Sequence, residues 1–152
     1  MPRDHAVEDL DLLICRLLAA DGRMSFTDLG KATGLSTSAV HQRVKRLEQR
    51  GVIRGYGASI DFGEVGLPLT AFISIRPMDP SQPDDSPERL ADIAEIEACH
   101  SVAGDESYIL KVRVAEPIDL EDLLARIRSA ANVSTRTTIV LSTPYEHRPP
   151  QL

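Results

Sequence analysis

The chain has 152 residues, 42% of them hydrophobic and 26% charged, with a formal net charge of −6 and two cysteines. That length holds one ordinary domain or two small ones and leaves no room for a large enzyme core, while the acidic balance argues against a generally basic DNA-coating protein. The charge is uneven: residues 1–60 carry nine Lys/Arg against seven Asp/Glu, and residues 61–152 carry eight against sixteen.

Met1 to Val7 reads as loose chain. Residues 8–20, EDLDLLICRLLAA, place Leu10, Ile14, Leu17 and Leu18 at helical spacing, with acids in the first turn and Gly22 just past the end. Ser25 to Arg50 then predicts two short helices joined by a glycine turn, about 26–33 and 36–50, with Ser25 and Ser36 as caps and Gly34 in the left-handed conformation. Val40, Val44 and Leu47 recur at i, i+4 and i+7 and face inward. His41, Gln42, Arg43, Lys45, Arg46 and Arg50 are left for the outside.

This is the layout of a helix-turn-helix or winged-helix reading head, whose second helix fits the major groove of double-stranded DNA. His41, Gln42 and Arg43 are the candidates for base edges; Lys45, Arg46, Arg50 and Arg54 are the candidates for phosphates. Ser36, Thr37 and Ser38 either bind a phosphate through hydroxyls and free amides or do no more than cap. On this reading, alanine at Arg43 weakens operator binding and leaves the fold intact. A basic face is also what a solvated helix shows; the glycine turn and the flanking helices favour the reading head. Gly51 stops the helix, and VIRGYGASI turns toward a connecting strand that ends a DNA-binding domain at residue 60.

In residues 61–152, LPLTAFISI (67–75) reads as a strand with Pro68 at its start. Four prolines in residues 77–87 make a loop that launches a helix, with Ser86 as cap, Pro87 at the first position and Leu90, Ile93 and Ala94 on its apolar side. Strands at about 98–103 and 107–115 flank Gly104, Asp105 and Glu106, which makes a β-hairpin. Asp119 caps a second helix with the stripe Leu120, Leu123, Leu124 and Ile127, and Asn132 is its left-handed stop. Residues 133–143 form the closing strand. The fold class is therefore α+β: a three-helix head, then a ferredoxin-like β-α-β-β-α-β domain with both helices on one face of an antiparallel sheet. The open face needs cover, and a second copy of the chain is the obvious one.

Cys15 and Cys99 stand apart without a signal peptide or a long apolar span, which suits a reducing cytoplasm and two buried thiols rather than a metal site. His100 and His147 have no partner at metal or triad spacing, and Ser101 lacks a nucleophile elbow, so no catalytic residue is assigned.

The run from Leu35 to Ile53, the hairpin SVAGDESYIL and the ending TRTTIVL resemble the Lrp/AsnC, or feast/famine, transcription regulators, and the resemblance covers almost the whole chain. Length and several segments are similar to those of actinobacterial, mycobacterial-type members. The resemblance implies a regulatory ligand-binding (RAM) module in the second half, dimers that assemble into octamers (tetramers of dimers), and a small effector, usually an amino acid, bound between modules near the hairpin turn. It implies no cofactor, no membrane partner, and control of amino-acid metabolism by population shift.

The implied effector residues are Ser101, Val102, Ala103, Gly104, Asp105, Glu106, Ser107 and Tyr108 in the hairpin, with Thr135, Thr137 and Thr138 alongside. Chemically, a glycine turn offers amides to a carboxylate, and Asp105 or Glu106 offers a counter-ion to an ammonium group. Residues 104–106 also suffice as a plain turn. Ser107 stands where many members carry an aspartate, and Gly30 where helix-turn-helix units usually carry alanine, at a cost of roughly 1 kcal/mol in helix propensity. Two alternatives follow from the same architecture: a tetrapyrrole (sirohaem) decarboxylase-like enzyme, which needs clustered histidine and arginine, and an amino-acid-sensing protein without DNA binding.

Overall fold

A computed structural model of the chain describes residues 8–149. The loose segment expected over Met1 to Val7 lies outside the described residues. Two compact units are present: Met1–Ser59 together with Pro144–Leu152, and Ile60–Thr143. The expected boundary at residue 60 lies beside the break after Ser59, whereas residues 144–149 group with the helices.

The first unit consists of α1 (Asp9–Ala20), α2 (Phe26–Thr33) and α3 (Thr37–Gln49). Ser25 caps α2 by accepting from the Asp28 amide at 3.0 Å, and its hydroxyl donates to the Asp28 carboxylate at 2.8 Å. Ser36 caps α3 by accepting from the Ala39 amide at 3.2 Å. Ile14, Leu29, Val40, Val44 and Leu47 form the buried core between the helices. Beyond α3 the chain folds back: Val52 and Ile53 donate to the Leu47 carbonyl at 2.9 and 3.1 Å, and the Tyr56 hydroxyl donates to Glu48 at 2.8 Å. Partial burial, then the Glu48 carboxylate, pushes the Tyr56 phenol up to about 12. The expected connecting strand after α3 is not found: residues 52–60 join no ladder among the described residues. No wing hairpin follows α3 there, so the head is a plain helix-turn-helix.

The turn between α2 and α3 explains Gly30. Gly34 adopts φ +73°, and both its amide and that of Leu35 donate to the Gly30 carbonyl. A Cβ on Gly30 would stand 2.7 Å from the Leu35 carbonyl oxygen, a backbone atom that the turn itself holds. Gly30→Ala gains about 1 kcal/mol of helix propensity and meets an overpacking cost of about 1–3 kcal/mol. A lower melting temperature by circular dichroism is the expected result; an unchanged or raised one would show that the turn gives way.

The second unit is a four-stranded antiparallel sheet of order β2-β3-β1-β4, from β1 (Leu69–Pro77), β2 (Ile96–Ser101), β3 (Tyr108–Val114) and β4 (Val133–Ile139). The helices α4 (Ser86–Leu90) and α5 (Pro117–Ala131) cover one face. Their Leu90, Leu120, Leu123 and Ile127 pack on Ala71, Ile73, Ile75, Leu110, Val112 and Val114, the alternate residues of β1 and β3. The topology is the expected ferredoxin-like one.

Several boundaries differ from the sequence reading, beginning with the first strand, which runs Leu69–Pro77 instead of 67–75 and so leaves Pro68 before it. The fourth helix stops at Leu90, so Ile93 and Ala94 follow it as turn, and Ser86 is its first residue rather than its cap. Pro117 takes the first helical position of α5, which makes Asp119 the third residue; its carboxylate accepts from the Glu116 amide at 3.0 Å. The hairpin strands end at Ser101 and resume at Tyr108, leaving a six-residue loop instead of a three-residue turn. The closing strand ends at Ile139, and Leu141, expected within it, is exposed. Cys15 is half-buried and Cys99 is exposed on the edge strand β2, so the two thiols are not both buried fillers.

Candidate nucleic-acid interface and ligand cleft

The core positions Val40, Val44 and Leu47 fix which face of α3 points out. Ser38, His41, Gln42, Lys45, Arg46, Gln49 and Arg50 are exposed, as is Arg54 beyond the helix. Lys45, Arg46, Arg50 and Arg54 have no ion-pair partner among the described residues. Thr37 and Ser38 begin the helix, whose first amides point out of its N-terminus. The Ser36 hydroxyl is shared between its cap and Ser38, at 3.3 Å. His41 lies on the α2 edge, its ring against Phe26 at 4.9 Å in an edge-to-face arrangement.

Arg43 departs from the sequence reading. Its side chain is only 22% exposed, and one terminal nitrogen, Nη1, donates to Asp11 at 2.8 Å and to Glu8 at 2.9 Å. The hydrogen bond to Asp11, then that to Glu8, pushes the guanidinium still further above its ordinary range. Asp11, in α1, is 8% exposed in its side chain and was not among the residues singled out from sequence. The side chain thus turns along the α1 edge instead of outward, because a carboxylate is waiting there. Arg43 is not a free base reader in this structure, and its replacement by alanine would take from Asp11 its guanidinium partner.

In the second unit a cleft of about 480 Å³ is lined by Ser74, Arg76, Asp105, Glu106, Ser134, Thr135 and Arg136. Strand register assembles it: on β1 and β4, Ser74 lies opposite Arg136 and Arg76 opposite Ser134. The Glu106 carboxylate pairs with the Arg136 guanidinium across the cleft. The loop is held in place by Ser107, whose amide donates to the Ile75 carbonyl at 3.0 Å, and by Val102, whose amide donates to the Ser107 carbonyl at 3.1 Å.

Of the eleven predicted effector residues, the structure brings Asp105, Glu106 and Thr135 to this cleft. Ser101 closes β2 opposite Tyr108, and the Tyr108 hydroxyl donates to Asp84 at 2.9 Å, away from the cleft lining. Val102, Ala103, Gly104 and Ser107 shape the loop without lining the cleft. Thr137 and Thr138 pair with Ile73 and Phe72 further along β4, beyond the cleft, while Thr135 also accepts from Arg128 at 3.0 Å. Sequence reasoning missed Ser74, Arg76, Ser134 and Arg136. The signal was available in the alternation: Ile73 and Ile75 face the helices, so Ser74 and Arg76 must face the other way, and their partners on β4 with them.

Among the described residues, no group of three or more His, Cys, Asp or Glu stands ready to hold a metal ion, and no helix is long and apolar enough to cross a membrane.

Comparison with known proteins agrees with both units. Residues 8–48 match the AsnC-type helix-turn-helix domain, and residues 70–150 match the Lrp/AsnC ligand binding domain. The chain is 56% identical to the HTH-type transcriptional regulator LrpA of Mycobacterium tuberculosis, over 95% of this chain and 97% of that one. It is 37% identical to the leucine-responsive regulatory protein of Haemophilus influenzae, over 91% and 86%. Its fold superposes with a TM-score of 0.93, at 56% identity, on the feast or famine regulatory protein of M. tuberculosis complexed with L-methionine, covering 95% of this chain and 99% of that one. With two domain models spanning most of its length and relatives that are regulators rather than enzymes, the chain belongs to the Lrp/AsnC family of DNA-binding transcriptional regulators.

Proposed function

We propose that the chain binds operator DNA through α3 and adjusts that binding to a free amino acid held in the cleft between β1, β4 and the loop 102–107. The unpaired Lys45, Arg46, Arg50 and Arg54 on an otherwise acidic protein carry the DNA half of this reading. Gln42, flanked by these cations on the exposed face, is the base-edge candidate, with His41 at the margin; Thr37 and Ser38 offer first-turn amides to a phosphate. The cleft carries the other half. It offers guanidinium groups for a carboxylate and Asp105 and Glu106 for an ammonium group, and a relative is solved with L-methionine bound.

A second copy covers the open sheet face, where Phe72 remains 38% exposed between Lys111 and Thr138, and dimers built in this way assemble further to octamers. Paired heads then read paired half-sites, in the cytoplasm, at genes of amino-acid metabolism. The test is a salt titration of binding to operator DNA. Lys45→Ala with Arg46→Ala is expected to lower the slope of log affinity against log salt by about 1.8, two phosphates at about 0.9 each. An unchanged slope would remove both residues from the interface. Calorimetry with L-methionine, beside sedimentation with and without it, tests the cleft and the assembly; heat indistinguishable from dilution would sink the effector half.

A further inference from the structure

Arg43 sits in the middle of the DNA-reading helix, yet its guanidinium is spent on α1. We infer that Arg43 and Asp11 form a strut that sets the roll and tilt of α3, so that Arg43 governs operator selectivity as a positioning residue without touching DNA. This rests on the reading of α3 as the DNA-contacting helix.

Apolar packing alone leaves that angle loosely determined. Ile14, Leu29, Val40, Val44 and Leu47 supply the contact between α1, α2 and α3, and such contacts are non-directional, with crossing angles that scatter by about 15–20°. Over the 13 residues of α3, about 20 Å long, a 15° change moves each end by about 2–3 Å. That distance exceeds the tolerance of a bidentate hydrogen bond to a base edge, while flexible lysine and arginine side chains still reach phosphates.

A hydrogen-bonded ion pair has direction. Nη1 of Arg43 meets two carboxylates, one of them 8% exposed and the other 68% exposed. The buried arm is the stronger constraint, because a carboxylate out of water must keep its donor, and fixing register is the best-attested role of such pairs. Asp11 is itself anionic and turned inward, so it has no means of contacting DNA directly. An effect of Asp11 on recognition therefore passes through Arg43: through the position of α3 where the salt slope is unchanged, or through a freed guanidinium on a phosphate where the slope rises.

The experiment uses the full chain and two duplexes: one enriched by the wild-type protein from a random-sequence library, and a scrambled duplex of equal length and composition. Asp11→Asn, Arg43→Gln and the double variant are compared for affinity to both, across a salt series. Asp11→Asn is expected to reduce the ratio of enriched to scrambled affinity by about tenfold, with scrambled affinity and salt slope as in wild type. The double variant is expected to be no worse than the worse single one. Loss of folded protein lowers both affinities together, so the ratio separates positioning from stability. Glu8→Gln, on the exposed arm, leaves folding nearly untouched and is expected to lower the ratio about threefold, since exposed pairs are weaker.

A wild-type ratio in both Asp11→Asn and Glu8→Gln overturns the strut, as does a salt slope lowered by about 0.9 in Arg43→Gln alone, the signature of a direct phosphate contact. A wild-type chain that enriches no sequence overturns the reading of α3, and the strut with it.

Discussion

Leu47→Ala is expected to melt the helical unit while the sheet unit stays folded. Leu47 is fully buried, and the core it belongs to has five buried members among the described residues, against twelve in the sheet unit. Removing a buried leucine costs about 2–5 kcal/mol, of which the cavity left behind is a large part. A unit of this size rests on a margin of only a few kcal/mol, so one such loss consumes most of it. The position compounds the damage, because the Leu47 carbonyl also anchors the returning chain at Val52 and Ile53. Heating followed by circular dichroism is expected to show two transitions, the first well below the wild-type one. DNA binding disappears with the first, and L-methionine binding by calorimetry persists to the second. A single transition below the wild-type temperature would mean that the two units are energetically one body, and an unshifted one that Leu47 contributes little.

Arg136→Ala is expected to weaken L-methionine binding by about 10–100-fold. A hydrogen bond to a charged group contributes about 1.5–3 kcal/mol, and the removed guanidinium is the cleft's donor opposite Glu106. The substitution also turns Glu106 from a paired group into an excess negative charge, which repels the ligand carboxylate. Stability is expected to hold, since the Arg136 side chain is 73% exposed. Arg136→Lys keeps the charge without the planar fork and should fall between wild type and alanine. Calorimetry decides the matter: a dissociation constant within twofold of wild type for Arg136→Ala would place the carboxylate elsewhere.

Local signals were legible in the chain, and distant ones were not. Ser25, Gly34, Ser36 and Asn132 mark their helix ends because a cap or a left-handed turn depends on residues within one turn of the chain. The antiparallel sheet with both helices on one face followed from the β-α-β-β-α-β order of the elements. Arg43 was misread because helical spacing reports only which side of α3 a residue starts from; where a long side chain ends depends on Asp11, 32 residues away. Arg76 and Arg136 were missed for a related reason. Each is an unremarked polar residue in its own strand, and only the pairing of β1 with β4 makes them neighbours.

On the proposed function, the ion pair across the cleft has a consequence for what the protein is able to sense. With Glu106 and Arg136 already satisfied by one another, an arriving zwitterion gains only the difference between its own contacts and the bond it displaces. Occupancy then tracks the ligand only when the ligand is plentiful, so the site acts as a gauge of surplus rather than a scavenger of traces. Its set point lies in the strength of one internal bond, and a substitution that merely loosens that bond retunes the threshold without remaking the receptor.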